Sequence, residues 1–376
     1  MWIGKQEGIN YNPEKVLVFC FINTRDLCTT TQTNRVKSHN PNKAHKALKM
    51  AWKPHTQMSF ADELLIEHDA LLELDDINTF IDWTRIEAHL RTIYASTEGN
   101  QAYAPLLMFK ALLLQSWYGL SDPALEKQLA RDLLFRRFVG LNLSDAIPDH
   151  STIWRYRQAL DKANVAQALL KEVNTQLQQK GLLIKHGSVS IIDASVIEAQ
   201  RARPNEGSDG NSTQDPEAQW NVKTAANGKK TSTYGFKIHI NVDEDGFIKT
   251  TDFTAGNVHD SQVFTQLLDD KDHAVYADSA YPSQKHSEWL KARGIEDRMI
   301  ARAYRNKPLT NAQKAQNRLW AGTRCTVERT FGILKLHYGM AKARYLGLKR
   351  NAMRVGLMCI GYNMKRGLNL LRESMA

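Results

Sequence analysis

The sequence predicts an α/β protein in which an all-helical N-terminal domain precedes a domain built on a mixed sheet flanked by helices. Apolar residues recur at helical spacing through residues 58–182. From residue 188 the pattern changes to short apolar strands separated by polar turns, and after residue 284 it is helical to the end. A block of strands followed by helices is typical of one mixed α/β domain. We therefore expect the sheet domain to cover residues 183–370.

The charge of the chain is distributed unevenly. Its 376 residues carry a formal net charge of +10. Residues 291–376 hold 19 Lys or Arg against four acids, a net of +15, so that the preceding residues sum to −5. A concentrated basic segment is the kind of surface that neutralises a phosphate backbone. The charge favours nucleic acid as a partner, although it says nothing about the fold.

The N-terminal segment, residues 1–57, is irregular, polar and basic, and we expect it to be an extension without defined structure. No apolar run of the chain approaches the roughly 20 residues that span a bilayer, so no membrane segment is predicted. The four cysteines make no CxxC pair and no zinc spacing. Reduced thiols are therefore expected, in a reducing compartment.

Helix boundaries can be predicted from the capping residues of the helical domain. One helix is predicted to begin near Pro105, a second at the N-cap Asp122, and a third after the N-cap Asp149. A fourth, Val165–Gln179, is predicted to end at Gly181 as its C-cap.

Four strands are predicted in the second domain. Val189–Asp193 and Ala274–Ala277 are apolar runs that end on an acid or run into one. Tyr234–Val242 and Phe247–Phe253 alternate on either side of an Asp-Glu-Asp-Gly turn, which indicates a hairpin. Residues 201–233 are rich in Gly, Asn, Ser, Thr and Asp, and we expect them to form a long mobile loop.

Two acids are distinguished by their position next to apolar strands, namely Asp193 and Asp278. A carboxylate at the end of a buried strand is costly unless a cation or hydrogen-bond donors compensate it. Two such acids on neighbouring strands repel each other, and a divalent metal ion between them would remove the repulsion. The alternative interpretation is that each carboxylate caps the turn that follows its strand.

A third acid, Glu328, lies in the helical stretch Arg324–His337. At ~100° per residue, Arg324, Glu328 and Lys335 fall within about 40° of one another on the helix surface. An adjoining apolar stripe is formed by Val327, Phe331, Leu334 and Tyr338. The helix can therefore pack this stripe on the sheet and present the acid at its edge. An exposed ladder of ion pairs and a catalytic edge are both consistent with this pattern.

Taken together, a strand Asp, a second strand Asp and a helix Glu, with Arg324 and Lys335 around the last acid, resemble the DDE transposases of bacterial insertion sequences. The similarity covers about residues 58–365 and is greatest to the insertion sequence five family. Five motifs carry it, in this order: Trp117–Pro123, Ile147–Thr152, Ile192–Ser195, Gly256–Asp260 and Val327–Gly332.

The resemblance implies an RNase H-like catalytic domain, preceded by a helical domain that binds the ends of the element. It implies Mg²⁺ as cofactor, with Mn²⁺ as a substitute, and assigns Asp193, Asp278 and Glu328 as catalytic metal ligands. It also implies double-stranded DNA as partner, as terminal inverted repeats and as target, and a homodimer in the synaptic complex. The implied localisation is the cytoplasm, at the nucleoid when the protein is bound to DNA. One departure is Ala321, where related transposases often have a Tyr three residues before the Arg.

Several further residues are candidates for DNA contact. Arg324 and Lys335 are assigned to phosphates beside the scissile bond; otherwise they are surface partners of Glu328. Trp220 and Lys223 lie in the predicted loop, where a tryptophan can stack on an unpaired base. The alternative for Trp220 is packing onto its own domain.

The helix after Asp149 carries Arg155 and Arg157, which could belong to a helix-turn-helix that reads the terminal repeat. Packing of three helices is the equally good alternative. His259 could line the active site. Asp260 is expected to be the N-cap of a helix that begins at Ser261.

The expected reaction is hydrolysis at each element end to free a 3′-hydroxyl, followed by attack of that hydroxyl on target DNA. A plain nuclease of the same fold shares the three acids, and a catalytically inactive DNA-binding regulator is the alternative outside enzymes. A glycosidase with two carboxylates is disfavoured by the basic C-terminal segment and by the lack of aromatic-rich sugar-binding stretches.

Overall fold

The structure is a computed structural model that describes residues 68–94, 101–182, 189–200, 214–224, 228–269, 272–304 and 308–375. The predicted extension, residues 1–57, lies outside the described residues, and so does the first part of the predicted loop, residues 201–213. The described residues belong to one compact unit.

Helices make up the described residues before the sheet, as predicted. They are α1 Asp69–Leu72, α2 Asp75–Phe80, α3 Trp83–Leu90, α4 Pro105–Trp117, α5 Asp122–Arg131, α6 Leu133–Val139, α7 His150–Ala163 and α8 Ala166–Gln179, with a 3-10 turn at Arg91–Ile93. Helix α4 is apolar on all sides and nearly all of its residues are buried, so it forms the centre of this helical part.

The predicted helix starts are confirmed except for one cap. Pro105 is the first residue of α4, and the Asp149 carboxylate accepts the backbone N–H three residues later at 2.6 Å. The N-cap of α5 is Ser121, however, whose hydroxyl accepts the N–H three residues later at 3.1 Å. Asp122 is the first helical residue, and its carboxylate is occupied by hydrogen bonds to other helices. Gly181 follows the end of α8 with φ 72°, a left-handed conformation that favours glycine.

The sheet is mixed. Its strands are β1 Val189–Glu198, β2 Gln219–Thr224, β3 Lys230–Val242, β4 Ile248–Ala255, β5 Ala274–Ala277 and β6 Glu296–Asp297. Their order is β4-β3-β1-β5-β6, and β2 pairs with the other end of β3. The β4-β3-β1 part is antiparallel, whereas β5 is parallel to β1 and β6 to β5. An antiparallel meander continued by parallel strands is the arrangement expected of an RNase H-like domain.

The predicted hairpin is confirmed as β3 and β4. The Asp243 carboxylate accepts the backbone N–H of Phe247 at 2.8 Å, and Gly246 has φ 81° in the turn between the strands. A positive φ at this position costs a glycine little.

The prediction of a mobile loop over residues 201–233 is wrong for its described second part. Here β2 pairs with β3, and Trp220 packs edge-on against Tyr234 with 5.2 Å between ring centroids. The Tyr234 hydroxyl donates to the carbonyl of Asp215, whose carboxylate accepts the backbone N–H of Gly347. The pairing of β2 with β3 and the hydrogen bonds of Asp215 therefore order this segment despite its polar composition.

The C-terminal part contains α9 Phe264–Leu267 after a 3-10 turn at Asp260–Gln262, then α10 Gln284–Ala292, α11 Asn311–His337 and α12 Leu348–Met375. The prediction of continuous helix after residue 284 is wrong between α10 and α11, because β6 adds to the sheet there. Helix α11 begins with a capping box of Thr310 and Gln313. Among the described residues, no helix is both long and apolar enough to cross a membrane.

Helix α12 joins the helical part to the sheet. The indole N–H of Trp117 on α4 donates to the carbonyl of Gly361 at 3.1 Å. A Cβ atom at Gly361 would lie 2.6 Å from that indole nitrogen, so glycine permits this close approach. On the sheet side, the Asn363 side chain bonds both the N–H and the carbonyl of Ile248 on β4. One hydrophobic core consequently extends through both parts.

Candidate active site

The register of two parallel strands brings Asp193 and Asp278 together. Ile192 on β1 pairs with Ala277 at the end of β5, and the residue that follows each of them is an aspartate. Neighbouring strands are separated by about 4.8 Å. The two carboxylates thus come from adjacent positions of the sheet although 85 residues separate them in the sequence.

The strand positions of the two acids differ from each other. Asp278 directly follows β5, as predicted. Asp193 lies inside β1, which continues to Glu198 because β3 pairs with it along its whole second half. The prediction that Asp193 ends its strand is therefore wrong, but Asp193 does stand at the point where the pairing with β5 ends.

The third acid is brought to the sheet by α11. Val327, Phe331, Leu334 and Tyr338 are buried, which confirms the predicted apolar stripe. Because this stripe packs on the sheet, the adjoining edge of the helix with Arg324 and Glu328 faces the two aspartates.

Arg324 lies among all three carboxylates. Its Nη2 atom is 3.6 Å from Asp193 Oδ2 and 3.8 Å from Glu328 Oε1, and its Nη1 atom is 3.9 Å from Asp278 Oδ1. The Arg324 side chain is only 12% exposed, whereas those of Asp278 and Glu328 are 48% and 59% exposed. These separations are ion-pair distances and too long for hydrogen bonds. A single cation therefore compensates three carboxylates without being fixed to any one.

Burial raises the pKa of Asp193 to about 6. A hydrogen bond from the backbone N–H of Ala194 and the charge of Arg324 lower this pKa, while the carboxylates of Asp278 and Asp260 raise it. The site thus holds more negative charge than its own residues neutralise, and an additional cation would favour the ionised form of Asp193.

The donor set suits a hard divalent cation, because it consists of carboxylate oxygens on adjacent structural elements. Within the described residues, no three His, Cys, Asp or Glu side chains lie close enough together to hold one metal ion as they stand. The guanidinium of Arg324 is in the space that the carboxylates share. Chemically the residues fit, and Arg324 is the group that a metal ion would have to displace.

Two of the predicted DNA contacts, Lys335 and Lys223, interact electrostatically with this site or with each other. Lys335 is half-buried; burial lowers its pKa, the charge of Lys223 lowers it further, and Asp193 raises it. Lys335 and Lys223 are therefore neighbours on the Asp193 side. Trp220 lies on the same strand as Lys223 and is exposed, although its ring also packs against Tyr234.

The two arginines of α7 have different environments. Arg155 is exposed. Arg157 is buried, with its Nη2 atom 2.6 Å from Asp122 Oδ1 and 2.9 Å from Gln115 Oε1. The expected DNA contact by Arg157 is thus contradicted, because its guanidinium is committed to α4 and α5 inside the protein.

The turn at residue 259 also differs from its prediction. His259 is the N-cap, since its Nδ1 atom accepts the backbone N–H of Ser261. Asp260, predicted to be that cap, instead pairs with Lys237 Nζ at 2.8 Å. The ion pair holds the turn against β3, because the Lys237 amine also donates to the Val258 carbonyl.

Two residues near the acids are not predicted from the sequence. Lys237 is a buried cation on β3, and the tyrosine Tyr281 follows Asp278 by three residues. The Tyr281 hydroxyl is buried without a hydrogen-bond partner among the described residues. Burial raises the pKa of Tyr281 well above its usual range, and the charges of Asp193, Asp260 and Asp278 raise it further. Lys237 alternates with apolar residues along β3, as His239 and Asn241 do, so the local pattern does not distinguish it.

Comparison with known proteins gives two matches to family models. Residues 61–159 match a transposase domain of the DUF772 family, and residues 185–364 match the transposase DDE domain. The second range contains all three acids, β1 through β6 and α11.

Two solved structures are also similar to the chain, described as a pre-cleavage Mos1 transpososome and the Mos1 strand transfer complex. Both are 8% identical in sequence. The alignment with the first covers 66% of this chain and 78% of the other chain, with a TM-score of 0.18. The alignment with the second covers 76% of this chain and 84% of the other chain, with a TM-score of 0.17. At TM-scores this low, the similarity has no weight in the assignment.

The two family matches, which together span well over half of the sequence, place the protein among enzymes that recombine DNA. The chain belongs to the DDE transposases of the bacterial insertion-sequence type. Its membership of the insertion sequence five family stays a prediction. Transposases of the DDE class generally use divalent metal ions.

Proposed function

We propose that the protein binds the terminal inverted repeats of an insertion sequence, cleaves the DNA ends and joins the freed 3′-hydroxyls to target DNA. In cleavage, a water oxygen attacks phosphorus and the 3′-oxygen of the element end leaves. In joining, that 3′-hydroxyl attacks a target phosphodiester and displaces the 3′-oxygen of the target strand. Both are in-line displacements at phosphorus, so one site can serve both steps.

The observation that carries the proposal is the convergence of three carboxylates on one guanidinium. Asp193, Asp278 and Glu328 come from β1, the end of β5 and α11, and they meet only in the folded chain. A structural ion pair needs one acid for one arginine, and the two further acids here are unexplained by packing. Asp278 and Glu328 are also largely exposed, as groups that meet a substrate must be.

The three carboxylates are proposed to hold two Mg²⁺ ions, for which Mn²⁺ is a substitute. Bound there, the ions would activate the attacking oxygen and stabilise the leaving one. The Asp193 carboxylate, held by the N–H of Ala194, is the fixed member of the set. Asp278 is oriented similarly by the N–H of Ser279 at 2.6 Å. Glu328 is brought to them by the packing of α11.

Cationic and aromatic side chains around the acids are proposed to bind the DNA strand. Arg324 would turn from the carboxylates to a phosphate beside the scissile bond, and Lys335 and Lys223 would bind neighbouring phosphates. The exposed ring of Trp220 is available to stack on an unpaired base. Arg155 is kept as a contact to the terminal repeat, and His259 as an exposed neighbour of the acids.

The proposed partners are double-stranded DNA, as terminal repeats and as target, and a second copy of the chain. Pairing two element ends requires two end-binding units, which makes a homodimer the expected synaptic form. The proposed place of action is the cytoplasm, at the nucleoid while the protein is bound to DNA.

The test is incubation of the purified full chain with terminal-repeat DNA and a target plasmid, with and without Mg²⁺. We expect metal-dependent end cleavage and joined product from the wild type. Asp193→Asn, Asp278→Asn and Glu328→Gln should each abolish both products while end binding is retained. Glu288→Gln, which changes an exposed acid of α10 in the same way, is the matched control and should keep both.

The outcomes separate the competing functions. Cleavage without joining would identify a plain nuclease, and binding without either reaction would identify a regulator. Cleavage that persists in any one of the three acid variants would remove that residue from the proposed site.

A further inference from the structure

A second site is formed by a cavity at the junction of the helical part and the sheet domain. Its volume is about 280 Å³. It lies between α4, α7, the C-terminal end of α11 and the start of α12. The polar side chains that line it include Gln115, Arg157, His337, Arg344, Tyr345 and Arg354. Three of these six carry a guanidinium group, and no acid lines the cavity.

The positive charge of this cavity is only partly compensated. Arg157 pairs with Asp122. Arg344 donates to the carbonyl of Leu120, and Arg354 donates to two backbone carbonyls, so these two bind neutral acceptors. Within the described residues, neither Arg344 nor Arg354 has an acid within ion-pair distance. Among the described residues, Asp122 is thus the one carboxylate in an ion pair with these three guanidinium groups, and the charge of Asp161 also acts on Arg157.

The arginines are also close enough to raise one another's free energy. Burial, together with the charges of Arg344 and Arg157, lowers the pKa of Arg354 to about 10, while Tyr345 opposes this shift. The Tyr345 ring lies 4.9 Å from the Arg157 guanidinium and 6.0 Å from that of Arg344. Like charges gathered in a half-buried cavity are unfavourable unless an anion accompanies them.

We propose that this cavity binds a phosphate group. The planar fork of arginine offers parallel N–H donors that match the oxygens of a phosphate, and the two forks of Arg344 and Arg354 suit a tetrahedral oxyanion. Arg157 stays bound to Asp122 and adds only positive charge to the cavity. The phosphate is either inorganic or a phosphodiester of the DNA backbone. A DNA phosphodiester as the ligand rests on the proposed function, because DNA binding is part of that proposal.

The cavity is distinct from the candidate active site. His337, which lines it, follows Glu328 by nine residues on α11, a distance of about 14 Å along the helix. A phosphate bound here would contact α4, α7 and the segment before α12, and would therefore stabilise the junction that α12 spans. It needs neither the three acids nor a metal ion.

The experiment measures thermal unfolding of the full-length protein in EDTA with increasing sodium phosphate, against sodium chloride at equal ionic strength. We expect phosphate to raise the unfolding temperature of the wild type more than chloride does. In the double variant Arg344→Gln/Arg354→Gln, phosphate affinity measured by calorimetry should fall at least about tenfold, because the charged hydrogen-bond donors of both arginines are lost. Arg350→Gln, an exposed arginine that does not line this cavity, is the matched control and should bind phosphate as the wild type does.

Measuring duplex DNA binding by the same variants identifies the source of the phosphate. Weaker DNA binding by the double variant, with Arg350→Gln unchanged, supports a backbone phosphodiester in the cavity. Unchanged DNA binding together with lost phosphate binding supports inorganic phosphate as the ligand. A wild type that phosphate stabilises no more than chloride, or equal phosphate affinity in the double variant, overturns the proposal. Because no cleavage is measured, these results are independent of the acid variants that test the proposed function.

Discussion

Arg324 and a metal ion must compete for the same carboxylates. Its guanidinium lies 3.6–3.9 Å from Asp193, Asp278 and Glu328. Two unit charges about 4 Å apart interact by about 4 kcal/mol at an effective dielectric constant of about 20. A tenfold change in affinity corresponds to only about 1.4 kcal/mol. We expect Arg324→Gln to bind Mn²⁺ roughly tenfold more tightly than the wild type without DNA. Paramagnetic resonance of free Mn²⁺ measures this directly.

The control for this prediction is Arg318→Gln, which removes the same charge from an exposed position of α11. It lies about 9 Å along the helix from Arg324 and should leave Mn²⁺ affinity near the wild-type value. If Arg324→Gln bound Mn²⁺ equally or more weakly, Arg324 would be a group that orders the carboxylates and not one that competes for them.

Asp243 makes the stability of the β3–β4 hairpin depend on pH. Burial, together with the charge of Asp245, raises its pKa to about 7, against the opposing effects of the Phe247 N–H and the charge of Lys249. A carboxyl whose folded pKa is raised contributes stability at low pH that is lost as the pH rises through 7. Asp243→Asn keeps the acceptor for Phe247 without the charge. We expect this variant to be more stable than the wild type at pH 8 by on the order of 2–4 kcal/mol in urea unfolding.

The advantage of Asp243→Asn should shrink below pH 7 and vanish near pH 3.8, the ordinary pKa of the carboxyl. Glu244→Gln changes an exposed acid of the same turn and should show no such pH dependence. If the difference in unfolding free energy between Asp243→Asn and the wild type stayed constant across this pH range, it would not arise from the ionisation of Asp243.

At the level of elements, Arg157 ties α7 to α4 and α5. Its pair with Asp122 is buried, and breaking such a pair leaves an uncompensated charge at a cost of about 3–5 kcal/mol. We expect Arg157→Gln to lose roughly 3 kcal/mol in urea unfolding. Arg155→Gln, two residues away on the exposed face, should change stability by less than about 0.5 kcal/mol and weaken binding to terminal-repeat DNA in fluorescence anisotropy. Equal stability losses in both variants would contradict the assignment of Arg157 to helix packing.

Local sequence patterns are sufficient for some elements of this fold and not for others. Strand β5, the β3–β4 hairpin and the apolar stripe of α11 each depend on neighbouring residues, and all are predicted. Strand β2 has a polar sequence and becomes a strand because β3 supplies its partner. The sequence predicts that Asp193 ends a strand, because the apolar run stops there, yet β3 extends the pairing to Glu198.

The candidate site shows the same division. The acids Asp193, Asp278 and Glu328 can be selected from the sequence because each has a recognisable local setting and the three together resemble a family pattern. That Arg324 lies among them is a result of tertiary packing. The burial of Arg157 likewise depends on Asp122, 35 residues earlier, and no pattern within α7 indicates it.

For the molecule as a whole, α12 contacts both the helical part and the sheet, and we therefore expect the two parts to unfold together. Gly361 allows α12 to approach Trp117, and a Cβ atom there would come within 2.6 Å of the indole nitrogen. We expect Gly361→Ala to lose about 1–3 kcal/mol from overpacking, offset by about 1 kcal/mol of helix propensity. Circular dichroism and tryptophan fluorescence should shift together in one transition. Two separate transitions, or a gain in stability, would show that α12 does not couple the parts.

The order of residues along the chain determines when a catalytic centre can exist during synthesis. Asp193 leaves the ribosome first, Asp278 follows, and Glu328 comes last, on a helix whose apolar stripe packs on the sheet. Helix α12, the last described element, is translated after all three acids and connects the two parts. Translation that stops before Leu348 leaves every acid in place but no helix to join the two halves.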